Sequence, residues 1–193
     1  MGPLARTLLR PLCESDLSHA AFPFGTARRV AIGPTTALAV RVTYVGELGW
    51  ELHVPVEQLA ALFKLIESNG RPLGMKLAGS VAMNSLRIEK SYCAWGAELS
   101  TDETPIHAGL GFAVAWNKPD EFLGKHALEL QRAEGVRKRL VTLVLDDPSP
   151  ILWGGEPIYR DDEPVGYTSS GSYAHARRRY RHGVRQAQRG SHT

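Results

Sequence analysis

The chain has 193 residues, 43% of them hydrophobic and 22% charged, the make-up of one large or two small globular domains. No apolar run approaches the roughly 20 residues of a membrane helix, and residues 1–25 lack the basic-then-apolar order of a secretory leader, so neither a membrane span nor export is expected. Six of the 23 Lys and Arg are Arg177, Arg178, Arg179, Arg181, Arg185 and Arg189, and no acid follows Glu163, which leaves 17 basic against 20 acidic residues ahead of that tail in a chain of net charge +3.

In chain order, residues 39–45 alternate, with Val40, Val42 and Tyr44 on one face and Arg41 and Thr43 on the other, the period of a half-buried strand. Gly46-Glu47-Leu48-Gly49 then turns the chain, and Trp50, Leu52 and Val54 resume the alternation, which predicts a hairpin with Glu47 at its tip. Leu59, Leu62, Phe63 and Ile66 recur at helical spacing before an Asn69-Gly70 stop, so a helix packed on the hairpin is expected. A second helix is predicted over residues 77–90. It buries Leu77, Val81 and Ile88, with Ala78, Ala82 and Leu86 widening the stripe, and sets Ser80, Asn84 and Arg87 on another face.

Residues 110–116 read as a strand, 124–131 as a short helix and 140–145 as a buried strand. Pro157-Ile158-Tyr159 and Pro164-Val165-Gly166-Tyr167 flank the acidic turn Asp161-Asp162-Glu163 as a hairpin. From Arg177 onward the chain has neither apolar periodicity nor a turn pattern and reads as a disordered, Arg-rich tail, 177–193. An arginine cluster with one aromatic is a phosphate-binding composition, but a break in the reading frame is the favoured account, and nucleic acid is not an expected partner.

Nucleophile-elbow, zinc, P-loop and GxGxxG patterns are all absent from the sequence. Cys13 and Cys93 stand eighty positions apart, without metal or redox spacing, and read as reduced thiols. His53, His107, His126 and His175 make no ligand spacing, so no metal site is expected. Trp95, Trp116 and Trp153 could line a pocket, yet at least two of them are expected in the core.

Three blocks carry the chemical signal: Tyr44-Val45-Gly46-Glu47-Leu48-Gly49-Trp50-Glu51, Asn84-Ser85-Leu86-Arg87-Ile88-Glu89-Lys90, and Trp95-Gly96-Ala97-Glu98-Leu99 running on to Thr104-Pro105 and Ala108-Gly109-Leu110-Gly111. In this order they resemble the folate-binding domain of the glycine-cleavage T-protein (aminomethyltransferase) superfamily. Gly2-Pro3 is similar to the Gly-Pro that opens a helix ahead of that family's turn. Glu89-Lys90-Ser91-Tyr92, Asn117-Lys118-Pro119 and Phe122-Leu123-Gly124-Lys125 are most similar to the branch fused to dimethylglycine and sarcosine dehydrogenases.

The resemblance covers residues 2–176. It implies an α+β, T-protein-like fold that is a partial copy: a folate-binding domain over 2–135, lacking its N-terminal half, and the truncated start of a C-terminal β-barrel domain over 136–176. It also implies tetrahydrofolate as the ligand and one-carbon transfer from a methylamine to it, with FAD used only in the dehydrogenase part this chain lacks. Tyr44, Glu47 and Arg87 are the folate-binding residues it points to. Glu47 could accept two adjacent pterin N–H groups, Tyr44 could stack on or bond the ring, and Arg87 could meet a folate oxygen or carboxylate.

The family's catalytic aspartate lies ahead of the Gly-Pro, so no catalytic residue is named and the chain alone is expected to be inactive. A flavin dehydrogenase part or subunit is the implied partner, and the compartment is the mitochondrial matrix in a eukaryote or the cytoplasm in a bacterium. The alternative is a non-catalytic interaction subunit resembling the pyruvate dehydrogenase phosphatase regulatory subunit. The Lys-Gly-Cys-Tyr stretch of the tRNA-modifying relative is absent.

Overall fold

The structure is a computed structural model that describes residues 1–147, 149–173 and the backbone of 180–187. It divides into two compact units, one of Met1–Met83 and one that begins at Asn84.

The first unit opens with a short helix, α1 (Ala5–Leu9), followed by a 3-10 turn over Arg10–Leu12. Three antiparallel strands come next, β1 (Ala27–Ile32), β2 (Thr35–Val40) and β3 (Glu51–His53), in the sheet order β1-β2-β3. Then comes α2 (Val56–Gly70). The core joins Leu9, Cys13, Leu17 and Phe22 to Val30 and Ile32 of β1, Ala37 and Ala39 of β2 and Leu62 of α2, with Trp50, Leu52, Val54 and Ile66 packed against it. The expected hairpin is present as β2 and β3, paired through Leu38 with His53, Ala39 with Leu52 and Val40 with Glu51.

Two details of the hairpin differ from the sequence reading. The strands end at Val40 and resume at Glu51, so Tyr44 and Glu47 lie on a ten-residue loop and not on a tight turn. The buried face of β2 is the opposite one, Thr35, Ala37 and Ala39, and its phase runs on into a buried Arg41. Small alanines let the sheet lie close to its covering layer. A charged residue in phase with them disguised the pattern, because the Arg41 guanidinium is satisfied internally by the Phe22 carbonyl and His19.

α3 (Ser80–Glu89) carries the chain from the first unit into the second. Ile88 is buried as expected, but Leu77 and Val81 are 63% and 84% exposed. The expected stripe is therefore buried only at its C-terminal end, where Arg87 joins Ile88 in the interior.

In the second unit, 110–116 is not a strand. It holds a 3-10 turn, Gly111–Ala113, with Trp116 folded back to donate to the Gly111 carbonyl at 2.8 Å. α4 (Lys125–Glu134) follows Gly124. β4 (Lys138–Leu145), β5 (Pro157–Arg160), β6 (Glu163–Gly171) and β7 (Tyr180–Ala187) form an antiparallel sheet of order β4-β7-β6-β5. The β5–β6 hairpin turns at Asp161 and Asp162, with φ of 51° and 66°, a left-handed conformation that aspartate tolerates better than most residues.

β4 is half-buried to exposed along its length and not a buried strand. β7 falls in the tail read as disordered. It is a strand because its backbone pairs on both sides, with β4 and with β6, an arrangement that does not require the side-chain alternation the sequence reading looked for. The rest of that tail, 177–179 and 188–193, lies outside the described residues. Trp95 and Trp153, of which at least one was expected in the core, are 76% and 84% exposed, and Trp116 is half-buried.

Candidate functional site

The loop over residues 41–50 is held at both ends. At its entry, Arg41 N–H donates to the Thr26 carbonyl at 2.9 Å and Gly25 N–H to the Arg41 carbonyl at 2.8 Å. The Arg41 side chain, 5% exposed, donates to the Phe22 carbonyl and, at 2.6 Å, to His19 Nδ1. That contact requires a neutral His19. Arg41 lowers the pKa of His19 from its ordinary value, with burial and Arg6 acting the same way.

At its exit, Trp50 packs edge-on to Phe22, with ring centroids 6.2 Å apart. The Arg6 and Arg41 guanidiniums lie 5.9 and 5.8 Å from its ring centre, within cation–π range. Gly2 N–H donates to the Leu48 carbonyl at 2.8 Å.

Inside this frame Val45 is buried, while Tyr44 and Glu47 are half-buried. Gly46, at φ 72°, makes the reversal that a β-carbon would strain. Val45 N–H and Glu47 N–H both donate to Thr43 Oγ1, at 3.3 and 3.1 Å. Glu51, by contrast, is exposed on β3 with His53 Nε2 3.5 Å away.

Arg87 belongs to the second unit and is 3% exposed. Its Nη1 donates to Glu98 Oε2 at 2.7 Å and to the Tyr92 carbonyl at 3.0 Å, its Nε to Asn84 Oδ1 at 2.8 Å and its Nη2 to Ser170 Oγ at 2.6 Å. Glu98 also accepts from Ala94 N–H at 2.9 Å and Ser169 Oγ at 2.8 Å. Burial opposes its ionisation, but the Ser170, Ala94 and Ser169 hydrogen bonds and the Arg87 charge together hold its pKa below the ordinary value.

Of the three residues named from the sequence, Tyr44 and Glu47 therefore share one loop. Arg87 sits in an internal ion-pair network that ties the end of α3 to the 92–98 segment and to β6. The sequence reading missed Thr43, Arg41 and Glu98. Thr43 was detectable, since a hydroxyl residue two and four positions before loop amides is a local capping pattern. Glu98 was quoted within a motif, but its pairing with Arg87 spans eleven residues and needs the fold. Among the described residues, no group of three or more His, Cys, Asp and Glu is placed to hold a metal, and no helix is long and apolar enough to cross a membrane.

Comparison with known proteins gives two family matches: the GCVT N-terminal domain over residues 1–118 and the glycine cleavage T-protein C-terminal barrel domain over 138–180. Mitochondrial dimethylglycine dehydrogenase of Homo sapiens is 41% identical over 177 residues, which is 91% of this chain and 20% of that protein. Mitochondrial sarcosine dehydrogenase of Homo sapiens is 39% identical over 175 residues, 91% of this chain and 19% of that protein. The chain thus spans about a fifth of these relatives. The crystal structure of the glycine cleavage system aminomethyltransferase T from Bartonella henselae matches with a TM-score of 0.82 at 22% identity, covering 97% of this chain and 50% of that one, so the two share a fold.

Proposed function

Because the chain belongs to the glycine-cleavage T-protein family, we propose that it is a tetrahydrofolate-binding module, serving one-carbon transfer from a methylamine to the folate. In this reading residues 2–135 are the folate-binding domain, 136–176 begin the barrel domain, and the partner is a flavin dehydrogenase part or subunit.

The observation that carries the proposal is the loop over 41–50, which presents a tyrosine and a carboxylate three residues apart on a frame anchored at Arg41 and Trp50. These side chains suit a pterin. Its pyrimidine edge offers adjacent N–H donors that the Glu47 carboxylate can accept, and its flat ring suits the face of Tyr44. Tetrahydrofolate, when bound, supplies the nitrogens that take up the one-carbon unit. Arg87 contributes from within: its guanidinium is committed to Glu98, Asn84, Tyr92 and Ser170, so its part is to hold the end of α3 in place.

Calorimetric titration with tetrahydrofolate tests the reading. Glu47→Gln should weaken binding about tenfold to a hundredfold, the loss of a charge-assisted two-point contact, whereas Glu51→Gln, on an exposed strand position, should change it little. Equal weakening would mean that the pterin edge does not meet Glu47. No binding by the unsubstituted chain would overturn the folate reading in favour of a non-catalytic interaction subunit.

A further inference from the structure

We infer that Thr43 is the positioning residue that sets the conformation of the Glu47 loop, an inference that rests on the folate reading for its functional consequence and on the loop geometry for its structural one. Its Oγ1 accepts two backbone hydrogen bonds, from Val45 N–H at 3.3 Å and from Glu47 N–H at 3.1 Å. A hydroxyl oxygen has two lone pairs and can take both. Gly46, between the two donors, is at φ 72°, and this reversal turns the two amides toward one acceptor.

Val45 is 2% exposed, so its amide has little water to turn to if the hydroxyl is removed. The ends of the loop are fixed by groups independent of Thr43: Arg41 through the Phe22 carbonyl and His19, Trp50 through its packing on Phe22, and Leu48 through Gly2. What Thr43 adds is the internal link that fixes the backbone of Glu47 between these ends, and with it the starting point and direction of the carboxylate. The residue types discriminate this role. Serine keeps the hydroxyl, and valine keeps the shape and β-branching while losing the acceptor.

The test uses the full chain, with amide exchange followed by NMR and tetrahydrofolate affinity by calorimetry. Thr43→Val should speed exchange at Val45 and Glu47 about tenfold and weaken tetrahydrofolate about tenfold, and Thr43→Ser should keep both within about threefold. Should the valine variant fold poorly, Thr43→Ala reads the same loss of the acceptor. In a Glu47→Gln background, Thr43→Val should cost no more than about twofold in affinity, because the contact it positions is already gone.

An equal loss in both backgrounds would show that Thr43 acts through general stability and overturn the inference, as would unchanged exchange in Thr43→Val. If exchange rises as expected but the native chain binds no tetrahydrofolate, the hold of Thr43 on the loop stands and the folate reading falls.

Discussion

Glu156 accepts hydrogen bonds from Trp153 N–H at 2.8 Å, Gly154 N–H at 3.0 Å and the Thr168 hydroxyl. The Thr168 bond is the largest influence on its pKa, and with the two amides it overcomes burial and pulls the value from an ordinary 4.5 down to about 2. A carboxylate whose folded pKa is depressed stabilises the fold above its unfolded value, and that stability is lost as pH falls through the folded one. Stability from Glu156 should thus be full above about pH 5 and gone near pH 2, on the order of 1 kcal/mol once solvent screening is allowed for. Glu156→Gln should flatten the acid limb of a denaturation profile in that window, and an unchanged profile would remove Glu156 as its cause. Nothing local in the sequence announces this residue. Thr168 lies twelve positions away across the β5–β6 hairpin, whereas Tyr44 and Glu47 were legible because their whole signal fits in one short motif.

Among the elements, α2 was the most legible, since its apolar period and its end at Gly70 were both visible. Gly70 ends α2 in a right-handed conformation, and the left-handed Gly74, at φ 78°, closes the 3-10 turn Arg71–Leu73 that follows. Gly70 is a glycine for another reason: a β-carbon there would lie 2.3 Å from Met75 Sδ and 2.9 Å from Met75 Cβ. Gly70→Ala should therefore destabilise by about 1–3 kcal/mol through overpacking, despite the better helix propensity of alanine. Pairing it with Met75→Ala should recover part of that loss in a urea titration, and no recovery would mean that Met75 is not the obstacle. β1 went unread because Arg28 and Arg29 interrupt its apolar run. Arg28 nonetheless belongs on the sheet, its guanidinium 5.3 Å from the centre of the Phe22 ring. β7 went unread because the reading relied on side-chain alternation, and its placement comes from backbone pairing to both neighbours.

For the whole molecule, the family and the α+β class were legible from motif order, but the distribution of apolar surface was not. Phe112, Leu123, Trp95 and Trp153 are 85%, 105%, 76% and 84% exposed. Composition alone would have placed large hydrophobic residues such as these inside. Two of the four tryptophans are thus open to solvent and two half-buried, so acrylamide should quench roughly half of the native emission easily and the remainder only on denaturation. Uniform protection of all four would contradict this surface. A different consequence follows from the start of the chain, where Gly2 bonds to Leu48 and a β-carbon on Gly49 would come within 2.9 Å of Met1 Cα. Any polypeptide fused ahead of Met1, an affinity tag included, emerges next to the loop that carries Glu47. Where such a fusion is attached therefore decides whether a binding experiment on this protein reads the loop itself or the added chain lying against it.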